Sequence, residues 1–397
     1  MTHKLFILGK ASEKLWGLNP AERLQRQLRS LGENEIYQTI DDSTVNKKLV
    51  ALSSDYIYDT SVIKSFLKEK NTLLLDPKGN RIVGINTSKG LSINLNDILL
   101  SLESEINHDL KTKNPHELGS YNDHLRKKDT TLLEAVNIKD LDSLERKLYG
   151  NAYKGITDLV TKFIWPKPAR STVKFLAERN ITPNAVTLVS LLLVIAATMA
   201  FAEGYFGIGL FMGWIMTFLD TVDGKLARVT ITSSKLGHVL DHGMDIIHPP
   251  FWYFAWYLGV LTLSQNIDSL FNTMVNATIF AYIIGRAIEA AFHALGNCSM
   301  FAWRPFDAYC RLITARRNPC LLILTGAWLC NSPKMGLLLV ASWTIISSFM
   351  LTLRLCQATV IRLSNGPLQS WLKNEDIASK MYPKAYKTFS NTGKAYD

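Results

Sequence analysis

The chain has 397 residues, and 44 Lys and Arg against 34 Asp and Glu give a formal net charge of +10. That length allows two or three domains, and the positive balance suits contact with anionic headgroups or phosphate-bearing substrates. No recognisable nucleic-acid motif accompanies the charge. The five cysteines lack C-x-x-C spacing, which argues against a zinc site or a disulfide framework.

Apolar residues are unevenly spread, with 1–150 charged and mixed and 183–360 mostly apolar. The opening apolar run, 4–8, is too short for a signal peptide, so a cytoplasmic N-terminus is expected. It reads as a strand, followed by a helix over 20–31, a strand over 49–52 and a helix over 60–70. Segments 73–75 and 81–85 flank Asp76-Pro77-Lys78-Gly79-Asn80, a turn signal that predicts a hairpin. This alternation predicts a small α/β domain over 1–104. The charged stretch 105–150 reads as a partly helical connector.

Over 151–182, Tyr153, Ile156, Leu159, Val160, Phe163 and Ile164 recur at helical intervals until Trp165-Pro166-Lys167-Pro168 interrupts them. This pattern predicts amphipathic helices in the membrane interface, or a buried helix of the soluble domain. Candidate membrane spans then cover 184–202, 205–220, 245–264, 271–295, 318–331 and 335–360, the fifth being short. The expected architecture is therefore a polytopic α-helical membrane domain of about six transmembrane helices behind a small α/β cytoplasmic domain. The loops after the first and third spans carry no Lys or Arg. Those after the second and fourth carry Lys225, Arg228 and Lys235, then Arg304, Arg311, Arg316 and Arg317. The positive-inside rule puts the second set, both termini and the 363–397 tail in the cytoplasm of an inner or plasma membrane protein.

Of the eight acidic residues in 183–360, four fall within 26 positions: Asp220, Asp223, Asp241 and Asp245. Carboxylates at a span boundary need a cation or a polar cavity. Spacings of three and four put each pair on one helical face, and antiparallel packing of the two spans would bring all four together. Oxygen donors of this kind suit Mg²⁺ or Mn²⁺. The competing reading is simple pairing with Lys225, Arg228 and Lys235. His238, His242 and His248 lie nearby and read as packing or local hydrogen-bonding residues.

The run Asp220-Thr221-Val222-Asp223-Gly224-Lys225-Leu226-Ala227-Arg228, eight residues, then Gly237-His238-Val239-Leu240-Asp241-His242-Gly243-Met244-Asp245 resembles the signature of CDP-alcohol phosphatidyltransferases, D-x-x-D-G-x-x-A-R-x8-G-x-x-x-D-x-x-x-D, at every defined position. The resemblance covers roughly 150–362, with the membrane domain drawn at 183–362. It implies transfer of a phospho-alcohol from a CDP-alcohol, CDP-diacylglycerol in the first instance, to the hydroxyl of a polar acceptor such as inositol phosphate or glycerol phosphate. CMP is released, and the step belongs to phospholipid biosynthesis.

It further implies a two-ion Mg²⁺ or Mn²⁺ site on Asp220, Asp223 and Asp241, with Asp245 bordering it and acting as general base. CDP would be bound by Asp223, Gly224, Ala227, Arg228 and Gly237. A homodimer is the expected assembly. Arg286, Arg304, Arg311 and Arg316 are candidates for an acceptor phosphate, with topology signalling or pairing of Arg286 with Glu289 as the competing readings.

The segments around Phe6-Ile7-Leu8-Gly9 and Val50-Ala51-Leu52-Ser53-Ser54-Asp55 resemble sugar-phosphate nucleotidyltransferases, as found in archaeal inositol-phosphate cytidylyltransferase/transferase fusions. Gly9 lacks its neighbouring glycine and the usual downstream Lys-Pro is absent. A degenerate regulatory, docking or oligomerising domain is therefore expected, and a bifunctional enzyme is the alternative. A transporter or membrane scaffold is the alternative from another class, but carboxylates at a span boundary and the absence of an internal repeat speak against it.

Overall fold

The computed structural model describes residues 4–38, 49–88, 99–103, 110–119, 121–122, 125–128, 131–233, 235–263, 268–296 and 298–390. Within 234–242 the side chains of 235, 236, 238 and 240–242 lie outside the described residues.

The N-terminal strand β1 (Lys4–Leu8) is followed by helix α1 (Pro20–Ser30). Asn19 caps α1 by accepting the Glu22 amide at 2.7 Å, and Pro20 at the first helical position needs no partner for a missing N–H. Next come β2 (Ile36–Tyr37), β3 (Leu49–Ser53), β4 (Tyr56–Tyr58), α2 (Thr60–Phe66), β5 (Thr72–Leu75) and β6 (Ile82–Thr87). The helix over 60–70 stops early, at Phe66. The predicted hairpin is present as antiparallel β5–β6, its turn closed by Asp76 accepting the Asn80 and Arg81 amides. Apolar residues fill both faces of the sheet: Leu5, Val50, Leu52, Leu74 and Val83 pack under α1 and α2, and Phe6, Ala51, Leu73 and Ile85 pack on the other side.

The stretch read as a connector adds to this domain. β7 (Lys111–Lys113) pairs parallel to β5 and completes a sheet of order β2-β1-β3-β6-β5-β7. β8 (Tyr121–Asn122) and β9 (Lys127–Lys128) form a hairpin, and β10 (Leu133–Ala135) pairs with β4. Helix α3 (Leu141–Asn151) buries Leu144, Leu148 and Tyr149 against Leu15 and Trp16. Strands of two or three residues with at most two apolar side chains carry too little periodicity to be read from sequence.

The chain bends at 152–158, takes a π turn over Val160–Ile164 and starts α4 (Pro166–Glu178) with Pro166 at its first position. The apolar recurrence from Tyr153 onward therefore crosses a bend rather than one helix. Ala169, Val173 and Ala177 of α4 pack on Val222, Leu226 and Val229, while Phe163, Ile164 and Phe175 face outward.

The apolar half folds into α5 (Pro183–Ala202), α6 (Phe206–Val229), α7 (Lys235–Leu263), α8 (Ser269–Gly296), the short α9 (Pro305–Ile313), α10 (Arg317–Leu329) and α11 (Pro333–Asn365), followed by α12 (Glu375–Met381) and α13 (Pro383–Phe389). Among the described residues α5, α6, α8 and α11 are long and apolar enough to cross a membrane. Large apolar side chains such as Leu188, Leu192, Met199 and Phe349 cover their outer faces. Inside, small residues permit close approach, as expected where lipid tails compete for every apolar contact. A Cβ on Gly259 of α7 would lie 2.0 Å from the Phe201 carbonyl oxygen of α5, and one on Gly209 would meet the Phe201 ring at 2.5 Å. α9 is tied to α11 by a fork in which Arg354 donates to both Asp307 carboxylate oxygens, at 2.6 and 2.7 Å.

The two halves are joined through α1, whose Arg23 and Arg26 donate to the Val229 and Thr230 carbonyls at the end of α6, at 2.7 and 2.9 Å. These cations meet the unsatisfied carbonyls of a helix C-terminus, where the dipole favours them.

Candidate active site

Asp220 and Asp223 sit near the C-terminal end of α6, and Asp241 and Asp245 lie on the first part of α7. Asp220, Asp223 and Asp245 all line one cavity of about 1240 Å³ between the helical bundle and the α/β domain. The Asp241 side chain lies outside the described residues. Thr187 of α5 donates its hydroxyl to Asp223 Oδ2 at 2.6 Å. The other oxygen, Oδ1, is buried without a hydrogen-bond partner, in a residue only 3% exposed. Leaving a buried carboxylate oxygen unsatisfied is destabilising unless something fills the position.

Arg317, at the start of α10, reaches between two of the acids. Its Nη1 donates to Asp245 Oδ1 and its Nη2 to Asp220 Oδ2, both at 2.5 Å. A guanidinium inserted between two carboxylates offsets their mutual repulsion, so the cluster presents a seat for positive charge. All-oxygen donors with a buried unpartnered carboxylate oxygen are of the kind a hard divalent metal takes, while Arg317 engages Asp220 and Asp245 and, among the described residues, no three such side chains converge on one ion position. Sequence reading took Arg317 only as a loop charge. Its one signal was its position, at a span boundary like the acids themselves.

Gly224, Ala227, Arg228 and Gly237 line the same cavity. The Arg228 guanidinium folds back over Gly224, where a Cβ would lie 3.1 Å from its Nη2, so glycine leaves room for that approach. Lys225 is buried with its ammonium 3.8 Å above the Tyr153 ring, which takes it away from simple pairing with the acids. His248 packs edge-on to Trp252 and donates Nδ1–H to the Met244 carbonyl at 2.6 Å, a local role. The side chains of His238 and His242 lie outside the described residues.

Further along the wall stand Arg286, Arg311 and Arg316. Arg286 and Arg316 share the Glu289 carboxylate. Asp158 accepts from Asn318 at 2.9 Å and from the Thr161 amide at 3.0 Å. Burial would raise the Asp158 carboxyl, but Arg311 and these hydrogen bonds hold it below its usual value. Arg311 is itself pushed down to about 9 by burial and by Arg316 beside it. Its Nε and Nη1, and the Nε atoms of Arg286 and Arg316, are buried without hydrogen-bond partners. Arg304 does not line this cavity: it is exposed, with its guanidinium 4.4 Å from the Trp303 ring. Residues missed by sequence reading, Thr187, Asp158, Asn318 and Arg126, also reach the cavity.

In the α/β domain the loop after β1 closes on Asp55, whose Oδ1 accepts the Lys10 and Ala11 amides at 2.7 Å each. Gly9 is in the left-handed region at φ +150°, and a Cβ there would lie 2.4 Å from Ser54 Oγ.

The family profile described as CDP-alcohol phosphatidyltransferase matches residues 180–353. The archaetidylinositol phosphate synthase of Pyrococcus horikoshii is 30% identical over 182 residues, which span 45% of this chain and 86% of that protein. The chain belongs to the CDP-alcohol phosphatidyltransferase family. It is accordingly an integral membrane enzyme of phospholipid synthesis. Two further relatives match over smaller shares. The bifunctional IPC transferase and DIPP synthase of Thermococcus kodakarensis is 28% identical over 33% of this chain and 35% of that protein. Cholinephosphotransferase 1 of Xenopus laevis is 30% identical over 29% of this chain and 30% of that protein. Among solved structures, the Mycobacterium tuberculosis phosphatidylinositol phosphate synthase with CDP-DAG bound aligns at 20% identity and a TM-score of 0.38, over 48% of this chain and 94% of that one.

Proposed function

We propose that this CDP-alcohol phosphatidyltransferase moves the phosphatidyl-type group of a CDP-linked lipid, CDP-diacylglycerol or a close analogue, onto a hydroxyl of a phosphorylated polyol such as inositol phosphate or glycerol phosphate. The observation that carries the reading is the meeting of a carboxylate cluster and a group of buried and half-buried guanidiniums in one cavity. The first suits an activated diphosphate with its metal; the second suits a separate phosphate on the acceptor.

Asp220, Asp223 and Asp241 would hold two divalent ions, Mg²⁺ or Mn²⁺, whose chemistry is neutralisation of charge on the diphosphate and on the phosphorus under attack. Thr187 orients Asp223 through the hydrogen bond to Oδ2. Gly224, Ala227 and Gly237 leave space for the cytidine diphosphate, and Arg228 supplies charge-assisted contacts. Arg286, Arg311 and Arg316 hold the acceptor phosphate with its hydroxyl toward Asp245. Asp245 takes the hydroxyl proton. The acceptor oxygen bonds to the β-phosphorus, the bond between that phosphorus and the bridging oxygen breaks, and CMP leaves with the electron pair.

The reading includes six spans, α5 to α8 with α10 and α11, a cytoplasmic active site, and an α/β domain that extends beyond 1–104 to take in β7, β10 and α3 of 105–150. It also includes interfacial helices over 151–182, a membrane domain over 183–362 and a tail over 363–397. Loop charges support the sidedness. Family resemblance supports a homodimer, which mass measurement in detergent would check. For the α/β domain we favour docking over nucleotidyl transfer, because Asp55 already accepts the loop amides that would otherwise meet a nucleotide phosphate.

The test is incubation of the purified protein with CDP-diacylglycerol, Mg²⁺ or Mn²⁺ and a panel of phosphorylated and plain polyols. Metal-dependent CMP release that requires a phosphorylated acceptor supports the reading. CMP release with plain polyols alone would redirect it to another acceptor class. For the α/β domain, pyrophosphate release from CTP and a sugar phosphate, lost in Asp55→Ala, would establish bifunctionality.

A further inference from the structure

Arg126 belongs to neither the matched family region nor the α/β sheet, yet it lines the cavity beside Arg286, Arg311 and Arg316. It stands at the turn of the β8–β9 hairpin with φ +53°, in the left-handed region that side chains rarely adopt. A residue held there against its preference is over-determined by its surroundings, and the surroundings show how.

Leu125 donates its amide to Asn122 Oδ1 at 3.0 Å, and its carbonyl accepts the Gly155 amide at 2.9 Å. Gly155 has no room for a side chain, since a Cβ would lie 2.8 Å from the Arg126 carbonyl oxygen and 2.5 Å from that of Phe389. On one side of the hairpin, Lys127 is fully buried and donates to the Asn151 carbonyl at 2.8 Å. On the other, the Tyr121 hydroxyl donates to Ser370 Oγ at 2.8 Å. The hairpin is thus clamped between the end of α3 and the segment after α11, and Arg126, which lines the cavity beside Lys127, is held by backbone contacts on both flanks.

Charge at this end of the cavity is unbalanced. Arg126, Arg286, Arg311 and Arg316 face two carboxylates, Glu289 and Asp158, and Asp158 is also engaged by Asn318 and Thr161. Burial first, and then Arg316, push Arg126 down to about 10 against the opposing pull of Glu289. Several guanidinium nitrogens in this group are buried without partners. A surplus of half-buried and buried cations, several with unpartnered donors, is a demand for a polyvalent anion.

We propose that Arg126 is a fourth guanidinium of the acceptor site, supplied by the extramembrane hairpin, and that it selects acceptors bearing a phosphomonoester. This inference rests on the phosphorylated-acceptor reading above. It makes the hairpin a specificity element of the transferase.

The test uses the full chain in detergent and measures binding of glycerol 3-phosphate, inositol 1-phosphate and inorganic phosphate, with glycerol and inositol as uncharged controls. In Arg126→Gln the phosphorylated probes should bind about 10- to 100-fold more weakly, the range for losing a hydrogen bond between charged groups. Arg126→Lys should fall between, because a point charge replaces a fork. The KM for the CDP-linked donor should stay within about twofold, which a merely structural loss would not allow. Wild-type affinity in Arg126→Gln overturns the role of Arg126 while leaving the phosphate reading intact. Failure of the wild-type chain to prefer phosphorylated probes overturns both. If Arg126→Gln does not fold, Arg126→Lys decides, and unchanged affinity there also overturns the proposal.

Discussion

Two aspartates at loop-facing ends of their elements have opposite fates in this protein. In the α/β domain, Asp55 Oδ1 accepts two backbone amides at 2.7 Å, and the loop after β1 folds onto it. In the helical bundle, one oxygen of Asp223 accepts from Thr187 and the other is buried and unpartnered. A polar group satisfied by its own backbone stabilises a loop; one held without a partner is retained for a ligand. The difference separates a loop-stabilising carboxylate from one with an oxygen left unpaired.

Exchange of single atoms at these positions should expose that contrast. Asp223→Asn is expected to lower the transfer rate by more than about 100-fold, as loss of a charge-stabilising group in a preorganised site does. Rates of CMP release at saturating donor and acceptor check this. Thr187→Val removes only the orienting hydrogen bond and should cost about 10- to 100-fold in metal affinity or activity, read from the metal concentration at half-maximal rate. Asp55→Asn, the counterpart change in the α/β domain, should leave CMP release within about twofold, and a larger loss would mean the two regions are coupled.

Stability experiments sharpen the comparison further. Gly259→Leu places side-chain atoms where a Cβ already falls 2.0 Å from the Phe201 carbonyl oxygen. Overpacking should cost about 1–3 kcal/mol, seen as a lower thermal midpoint. Lys162, outside the spans, donates to the Gly155 carbonyl at 2.9 Å, and burial with Lys127 nearby pushes it down to about 8 from 10.5. Between those two pH values the unfolded chain binds more protons than the folded one, so Lys162 makes stability rise as pH rises from about 8 toward 10.5. Its contribution is least favourable below pH 8, where the buried amine must be charged. Lys162→Met should flatten that rise in thermal midpoint.

Much of the membrane half was legible because its signals are long. Apolar runs of span length, glycines beside acids and carboxylates at fixed intervals survive without tertiary context, and α5 to α8, α10 and α11 begin and end close to the predicted limits, although α6 and α7 continue past the boundary to carry the acids. The short strands β7 to β10 were not legible, since two or three residues with at most two apolar side chains have no period. Arg317 and Arg126 were hidden for a different reason. A cation in a charged stretch reads as solvated or topological, and only its partners in space, Asp220 and Asp245 for one and the Arg316 group for the other, give it a role. Arg304 shows the converse: sequence grouped it with the basic loop, and the fold turns it outward over Trp303.

The proposed chemistry is tested most directly by CMP release by the full chain from CDP-diacylglycerol and a phosphorylated polyol, measured against Mg²⁺ or Mn²⁺ for the wild type and Asp245→Asn. Turnover should require the metal and fall by about 100- to 10,000-fold in Asp245→Asn, the span of a lost general base. Full activity in Asp245→Asn, or equal CMP release without metal, would contradict it.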